Sequence, residues 1–124
     1  PNAGEWHRGV AELNIKMPEG MNETRLSIAP LGEVVFTRKR IRILDASGEC
    51  WSELAADLNM TEPFAVSVFV DGGIVEVFIA QRYSLAARLP AKAGPVKFAP
   101  TPATVTSMRF SEWPAPANVP QAGR

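Results

Sequence analysis

Several residues in this chain are of types that do chemistry. Asp71 and Glu76 flank a Gly72-Gly73 pair within FAVSVFVDGGIVEVFIAQRYSLAARLP, residues 64–90. Two carboxyls about 5–5.5 Å apart are what a retaining glycosidase uses as nucleophile and acid/base. A third acid, Glu49, precedes the single cysteine, Cys50, and the single histidine is His7. Cys50 and His7 together supply the types of a nucleophile and its base. The run Arg38-Lys39-Arg40-Ile41-Arg42, read as strand, puts Arg38, Arg40 and Arg42 on one face, open to an anionic ligand or a partner. Equally, such arginines pair with neighbouring acids on a solvated face. Trp6, Trp51 and Trp113 are planes on which sugars could stack, or anchors at sheet edges.

What these residues can do depends on the elements that carry them. The stretch from Phe64 to Ile79 is two alternating apolar runs joined at the glycines, the pattern of a β-hairpin. A two-residue Gly72-Gly73 loop pairs Asp71 with Ile74, Val70 with Val75 and Val68 with Val77. One face then carries Val66, Val68, Val70, Val75, Val77 and Ile79, all apolar. A three-residue loop would set Val68 against Glu76 and spoil that face, so the buried pattern selects the shorter loop. The opposite face mixes Ser67, Phe69, Asp71, Ile74, Glu76 and Phe78. Asp71 and Glu76 share it without being directly opposite, which is poor geometry for a catalytic pair. The alternative is architectural: Asp71 bonds backbone N–H groups at the turn, and Glu76 meets an arginine or water.

Elsewhere the period is also two. In Val10–Met17, Ala11, Leu13, Ile15 and Met17 fall on one side, as in a half-buried antiparallel strand. Pro18 and Gly20 mark a turn. Strands follow in TRLSIAP, with Leu26 and Ile28 inward, in EVVFTRKR, and in IRILDASGE, which closes at an Asp45-Ala46-Ser47-Gly48 turn. CWSELAADLNM has Trp51, Leu54 and Leu58 at helical spacing with Ser52 placed to cap. It is expected to form a short helical turn or an irregular crossover, eleven residues being marginal for a free helix. YSLAARLP, GPVKFAP and ATVTSMRFSEW complete eight to nine short strands. The expected fold class is all-β, an antiparallel β-sandwich of two sheets. Its expected bounds are 1–113, with 114–124, rich in Pro and Ala, as an extended or disordered tail.

Composition narrows the function. The 124 residues are 46% hydrophobic and suffice for one domain. Thirteen basic and thirteen acidic residues cancel, leaving no long-range field to gather phosphates, so nucleic acid is not an expected partner. No apolar run approaches the ~18 residues of a transmembrane helix, and no membrane partner is expected. One cysteine excludes an intramolecular disulfide and a cysteine-based zinc site. His7 has no metal-ligand spacing around it, and a nucleophile elbow, a Walker loop, a dinucleotide fingerprint and an HExxH pair are all missing. No metal, cofactor or catalytic residue is therefore assigned, and substrate-binding residues stay open. The opening PNAGEWHRGV lacks an initiator Met and a signal peptide, which reads as a piece of a longer polypeptide.

The hairpin VSVFVDGGIVEVF, followed by ARLP, resembles the C-terminal β-sandwich of glycoside hydrolase family 32, the invertases, levanases and fructosidases. Phe69-Val70-Asp71, then Glu76-Val77-Phe78, then Arg88 and Pro90 stand where that module has its marker residues. The similarity spans most of Val10 to Trp113, with the hairpin its specific part. It implies an accessory module whose partner is an N-terminal β-propeller catalytic domain of the same polypeptide. The family's nucleophile motif, with its Asp-Pro-Asn-Gly core, and its Arg-Asp-Pro motif are absent. Glu49-Cys50 matches the acid/base dipeptide in two residues only, at a turn of the sandwich, so nothing catalytic carries over. Three readings remain: this accessory module of a fructan- or sucrose-hydrolysing enzyme, a carbohydrate-binding module without hydrolytic activity, and an enzyme complete in itself through Asp71, Glu76 or Glu49.

Overall fold

The computed structural model describes residues 5–6, 8–16, 20, 22–57, 62–90, 96–100 and 105–112. Every regular element among them is a strand: β1 (Glu5–Trp6), β2 (Arg8–Ile15), β3 (Glu23–Ala29), β4 (Gly32–Thr37), β5 (Arg40–Asp45), β6 (Cys50–Ala55), β7 (Phe64–Asp71), β8 (Ile74–Ile79), β9 (Tyr83–Arg88), β10 (Val96–Pro100) and β11 (Val105–Glu112). They form an antiparallel β-sandwich. One sheet has six strands in the order β1-β10-β3-β4-β5-β6, and the other five in the order β11-β2-β7-β8-β9.

Alternation decides which side chains enter the space between the sheets. Ala11, Leu13 and Ile15 of β2, Leu26 and Ile28 of β3, and Val34 and Phe36 of β4 are buried there. The hairpin β7–β8 pairs Asp71 with Ile74, Val70 with Val75 and Val68 with Val77, the register of the two-residue loop. Its apolar face, Val66, Val68, Val70, Val75, Val77 and Ile79, is wholly inside. Each such valine or isoleucine contributes about 1.5–3 kcal/mol through removal from water. An edge-to-face contact between Phe36 and Phe64, with centroids 6.4 Å apart, ties one sheet to the other. Leu89, after β9, is buried too, and its N–H donates to the Gly73 carbonyl at 2.8 Å.

Two expectations are corrected. Cys50–Ala55 is a strand, not a helical turn, and it pairs antiparallel with β5. Five of the six residues pair along β5, Trp51 being passed over, and a free helix of this length cannot offset its nucleation cost. Leu58, the third residue of the expected helical stripe, lies outside the described residues, as do Met17, Pro18, His7 and Trp113. The basic run is not one strand: Arg38 and Lys39 form the bend between β4 and β5, closed by the Thr37 hydroxyl donating to the Arg40 carbonyl at 3.1 Å. Arg40 and Arg42 alone share a strand face. The two strands beyond the expected nine are β1 and β6. Residues 114–124 lie outside the described residues.

Candidate functional site

Asp71 and Glu76 both lie on the outer face of the five-stranded sheet, exposed. Register sets Asp71 opposite Ile74 and Glu76 opposite Phe69. Asp71 pairs with Arg8 at 3.4 Å, an arginine on the adjacent β2, where turn amides were expected. Each acid thus faces an apolar residue, and the two sit on a diagonal of the same face. Around them Phe69 and Phe78 meet edge to face at 5.5 Å, and Phe78 stays 42% exposed and Ile74 37%. Glu49 is engaged through its backbone, its N–H donating to Asp45 Oδ1 at 2.9 Å. Cys50 is exposed and outside any disulfide, its thiol directed at the Ser52 carbonyl at 3.3 Å. Among the described residues no three of His, Cys, Asp and Glu stand close enough to hold a metal ion.

The outer face of the six-stranded sheet holds a denser polar arrangement. Register places Arg25 (β3), Val35 (β4), Arg42 (β5) and Glu53 (β6) in one row across four strands. The next row runs Ser27, Glu33, Leu44 and Cys50. Val35 and Leu44 are buried although they point away from the core. Long flanking side chains such as Arg25 and Arg42, next to Val35 in the row, are of the kind whose aliphatic stems can cover apolar surface while the charged head stays in water. Arg25 holds Glu23 at 2.5 Å through Nε and Glu33 at 2.6 Å through Nη1. The Glu23 hydrogen bond, with the charge of Glu33, raises the Arg25 pKa above its ordinary value despite some desolvation. Arg40 pairs with Glu53 at 3.1 Å. Exposed pairs of this kind are worth about 0–1 kcal/mol each; their consequence is to fix planar donors and acceptors in place.

Beside these rows lies a groove of about 430 Å³, lined among others by Ser27, Pro30, Glu33, Asp45 and Ser47. One wall is the Asp45–Gly48 turn. Asp45 Oδ1 accepts from the Ser47 N–H at 2.9 Å, the Ser47 hydroxyl at 2.7 Å and the Glu49 N–H at 2.9 Å. Its other oxygen, Oδ2, accepts from Trp51 Nε1 at 2.8 Å. The Trp51 bond, then Ser47 and the turn amides, lower the Asp45 pKa to about 2.

Trp51 owes its position to an irregularity. Between β5 and β6, Ile43 faces Ser52 but Leu44 faces Cys50, so Trp51 is one residue too many for the ladder. An edge bulge of this kind re-aims a side chain. Here it leaves the indole 46% exposed and reaching back to the turn. Sequence reasoning had named Trp51 and the turn separately; the bulge that joins them has no sequence signal. It missed the Arg25–Glu33 pair, whose partners are eight residues apart on neighbouring strands.

No family model matches the chain, and no curated protein matches it. Solved structures do. Sheep galectin-11, in complex with glycerol, superposes with a TM-score of 0.57 at 16% identity, over 90% of this chain and 98% of its own. Two structures of alginate lyase A1-II' align over 90% of this chain. One gives a TM-score of 0.47 at 12% identity over 66% of the lyase. The other, a family 7 alginate lyase in complex with substrate, gives 0.48 at 10% over 64%. At such identities the likeness to the galectin is one of fold, the antiparallel β-sandwich.

Proposed function

We propose that this chain is a non-catalytic β-sandwich module that binds saccharide on the outer face of its six-stranded sheet. The observation that carries the reading is Trp51, exposed on the edge strand and tied to Asp45 beside the groove. Sugars present an apolar C–H face and a rim of hydroxyls. An exposed indole receives the first, and fixed carboxylate and guanidinium groups such as Glu33 and Arg25 receive the second. The β-sandwich fold shared with a galectin is compatible with this use and does not by itself assign it.

Calorimetric titration with a panel of neutral and acidic oligosaccharides, inulin and levan fragments included, tests the reading. Binding by the intact chain, weakened at least about tenfold by Trp51→Ala with thermal melting unchanged, is the expected result. Failure of every saccharide to bind abandons it.

A second reading is favoured by a different face. Phe78 and Ile74 are exposed beside Phe69 on the five-stranded sheet, in the hairpin that resembles family 32. An apolar patch of this sort suits packing against another domain. On this reading the chain is the accessory sandwich of a fructan- or sucrose-hydrolysing glycosidase, its partner the β-propeller catalytic domain. Sequencing the gene upstream of the codon for Pro1 decides: an open frame with Asp-Pro-Asn-Gly and Arg-Asp-Pro motifs supports it, and an unrelated domain there overturns it.

A further inference from the structure

Of the three arginines on the outer face of the six-stranded sheet, two are neutralised and one is not. Arg25 is held by Glu23 and Glu33, and Arg40 by Glu53. Arg42 makes no hydrogen bond and no ion pair among the described residues, and its Nε is shut off from solvent without an acceptor. The register opposite Arg42 on β6 is Glu53, but that carboxylate is committed, Oε2 to Arg40 at 3.1 Å and Oε1 near the Cys50 thiol at 3.9 Å. On its other side Arg42 faces Val35, which is fully buried, and Leu44 follows two residues along the strand. A fixed positive charge thus sits half-buried over an apolar floor, with a donor left unsatisfied.

That arrangement is costly in the free protein. A buried donor without an acceptor forfeits its hydration uncompensated, at greater cost when it is charged. The apolar floor also lowers the local dielectric and strengthens any anion that docks there. The guanidinium fork matches a planar carboxylate through two parallel N–H···O bonds, a geometry that a neutral hydroxyl cannot complete.

We infer that Arg42 anchors the carboxylate of an acidic saccharide, so that the ligand of this face is a chain containing uronic-acid units. The inference rests on the saccharide-binding reading and names its ligand class. The uronate carboxylate meets the two Nη groups of Arg42, Nε being closed to solvent, and the neighbouring sugar lies over Glu33 and Ser27 in the adjoining row, toward the groove.

The test is calorimetric titration of the 124-residue chain, at low ionic strength, with an oligouronate and with the same oligosaccharide after carboxyl reduction. The oligouronate is expected to bind at least about tenfold more tightly. Arg42→Met keeps an unbranched stem over Val35, melts at or above the temperature of the parent chain, and brings the two ligands to equal affinity. Arg42→Lys keeps the charge but not the fork, and is expected to lose roughly tenfold toward the oligouronate. Equal binding of both ligands by the parent chain overturns the role of Arg42 and leaves the saccharide reading standing; no binding of either removes both. Tighter binding of a sulfated neutral oligosaccharide than of the oligouronate overturns the carboxylate assignment.

Discussion

Trp51 Nε1 donates to Asp45 Oδ2 at 2.8 Å, joining the extra residue of an edge bulge to the carboxylate that closes the preceding turn. Four donors converge on this one side chain. The geometry turns an aromatic residue, otherwise free to rotate on an edge strand, into a fixed surface beside the groove.

The pH dependence follows from that carboxylate. Its folded pKa of about 2 lies below its ordinary 3.8, so the folded state binds its proton less readily than the unfolded chain does. The contribution is fully present above pH 3.8 and is lost as pH falls toward 2. Thermal melting temperature, measured across that window, should drop in the parent chain. In Asp45→Asn, which cannot titrate there, the melting temperature should start lower and the drop should be shallower. Parallel curves for the two proteins would contradict the assignment.

Gly32 tests how closely β4 and β5 approach. A β-carbon on Gly32 would lie 1.9 Å from the Leu44 carbonyl oxygen and 2.9 Å from Asp45 Cα, both backbone atoms. No side-chain movement relieves that contact. Gly32→Ala is expected to cost about 3 kcal/mol, at the upper end of the usual penalty for overpacking. Urea denaturation measures it, and a loss below ~1 kcal/mol would show that the two strands separate freely.

The turn after β8 is built without the residues that favour it. Ala80 and Gln81 have φ of 56° and 58°, and the Arg82 N–H closes the turn on the Ile79 carbonyl at 3.0 Å. Left-handed backbone costs an ordinary L-residue about 1–2 kcal/mol, and Asn-Gly is the pair such hairpin turns prefer. Ala80→Asn combined with Gln81→Gly is expected to stabilise the protein by about 1–2 kcal/mol. Differential scanning calorimetry should record a higher melting temperature, and a lower one would contradict this account of the turn.

Val77 and Glu76 are neighbours on β8 that face opposite ways. Val77 is fully buried against the core, whereas Glu76 is exposed and makes no ion pair among the described residues. Val77→Ala is expected to cost about 2 kcal/mol, and Glu76→Gln to stay within about 0.5 kcal/mol. A fructoside-hydrolysis assay on the same proteins should read no faster than the buffer blank for both. Turnover that Glu76→Gln abolishes without unfolding would restore a catalytic role.

Much of the fold is legible in the order of residues, and the reason is local. Period-two alternation needs no distant partner to be recognised, so β2, β3, β7 and β8 follow from their own apolar spacing. The Gly72-Gly73 loop sets the hairpin register because any slip would carry Glu76 to the face of Val68. The Cys50–Ala55 stretch resists such reading. Its apolar residues suit a helix or a strand, and only the free edge of β5 resolves the choice.

By itself, then, the sequence determines an antiparallel β-sandwich, the inner face of its hairpin, and the outer face that Asp71 shares with Glu76. It cannot determine which charges meet. Arg25 finds Glu33 and Arg40 finds Glu53 because β3 to β6 lie side by side in one sheet at a particular register. The same register leaves Arg42 between a buried valine and an acid already taken. Those partnerships are set by tertiary structure, because each guanidinium pairs with whatever acceptor the sheet brings within reach, and that reach is a few ångströms in space and not a spacing along the chain.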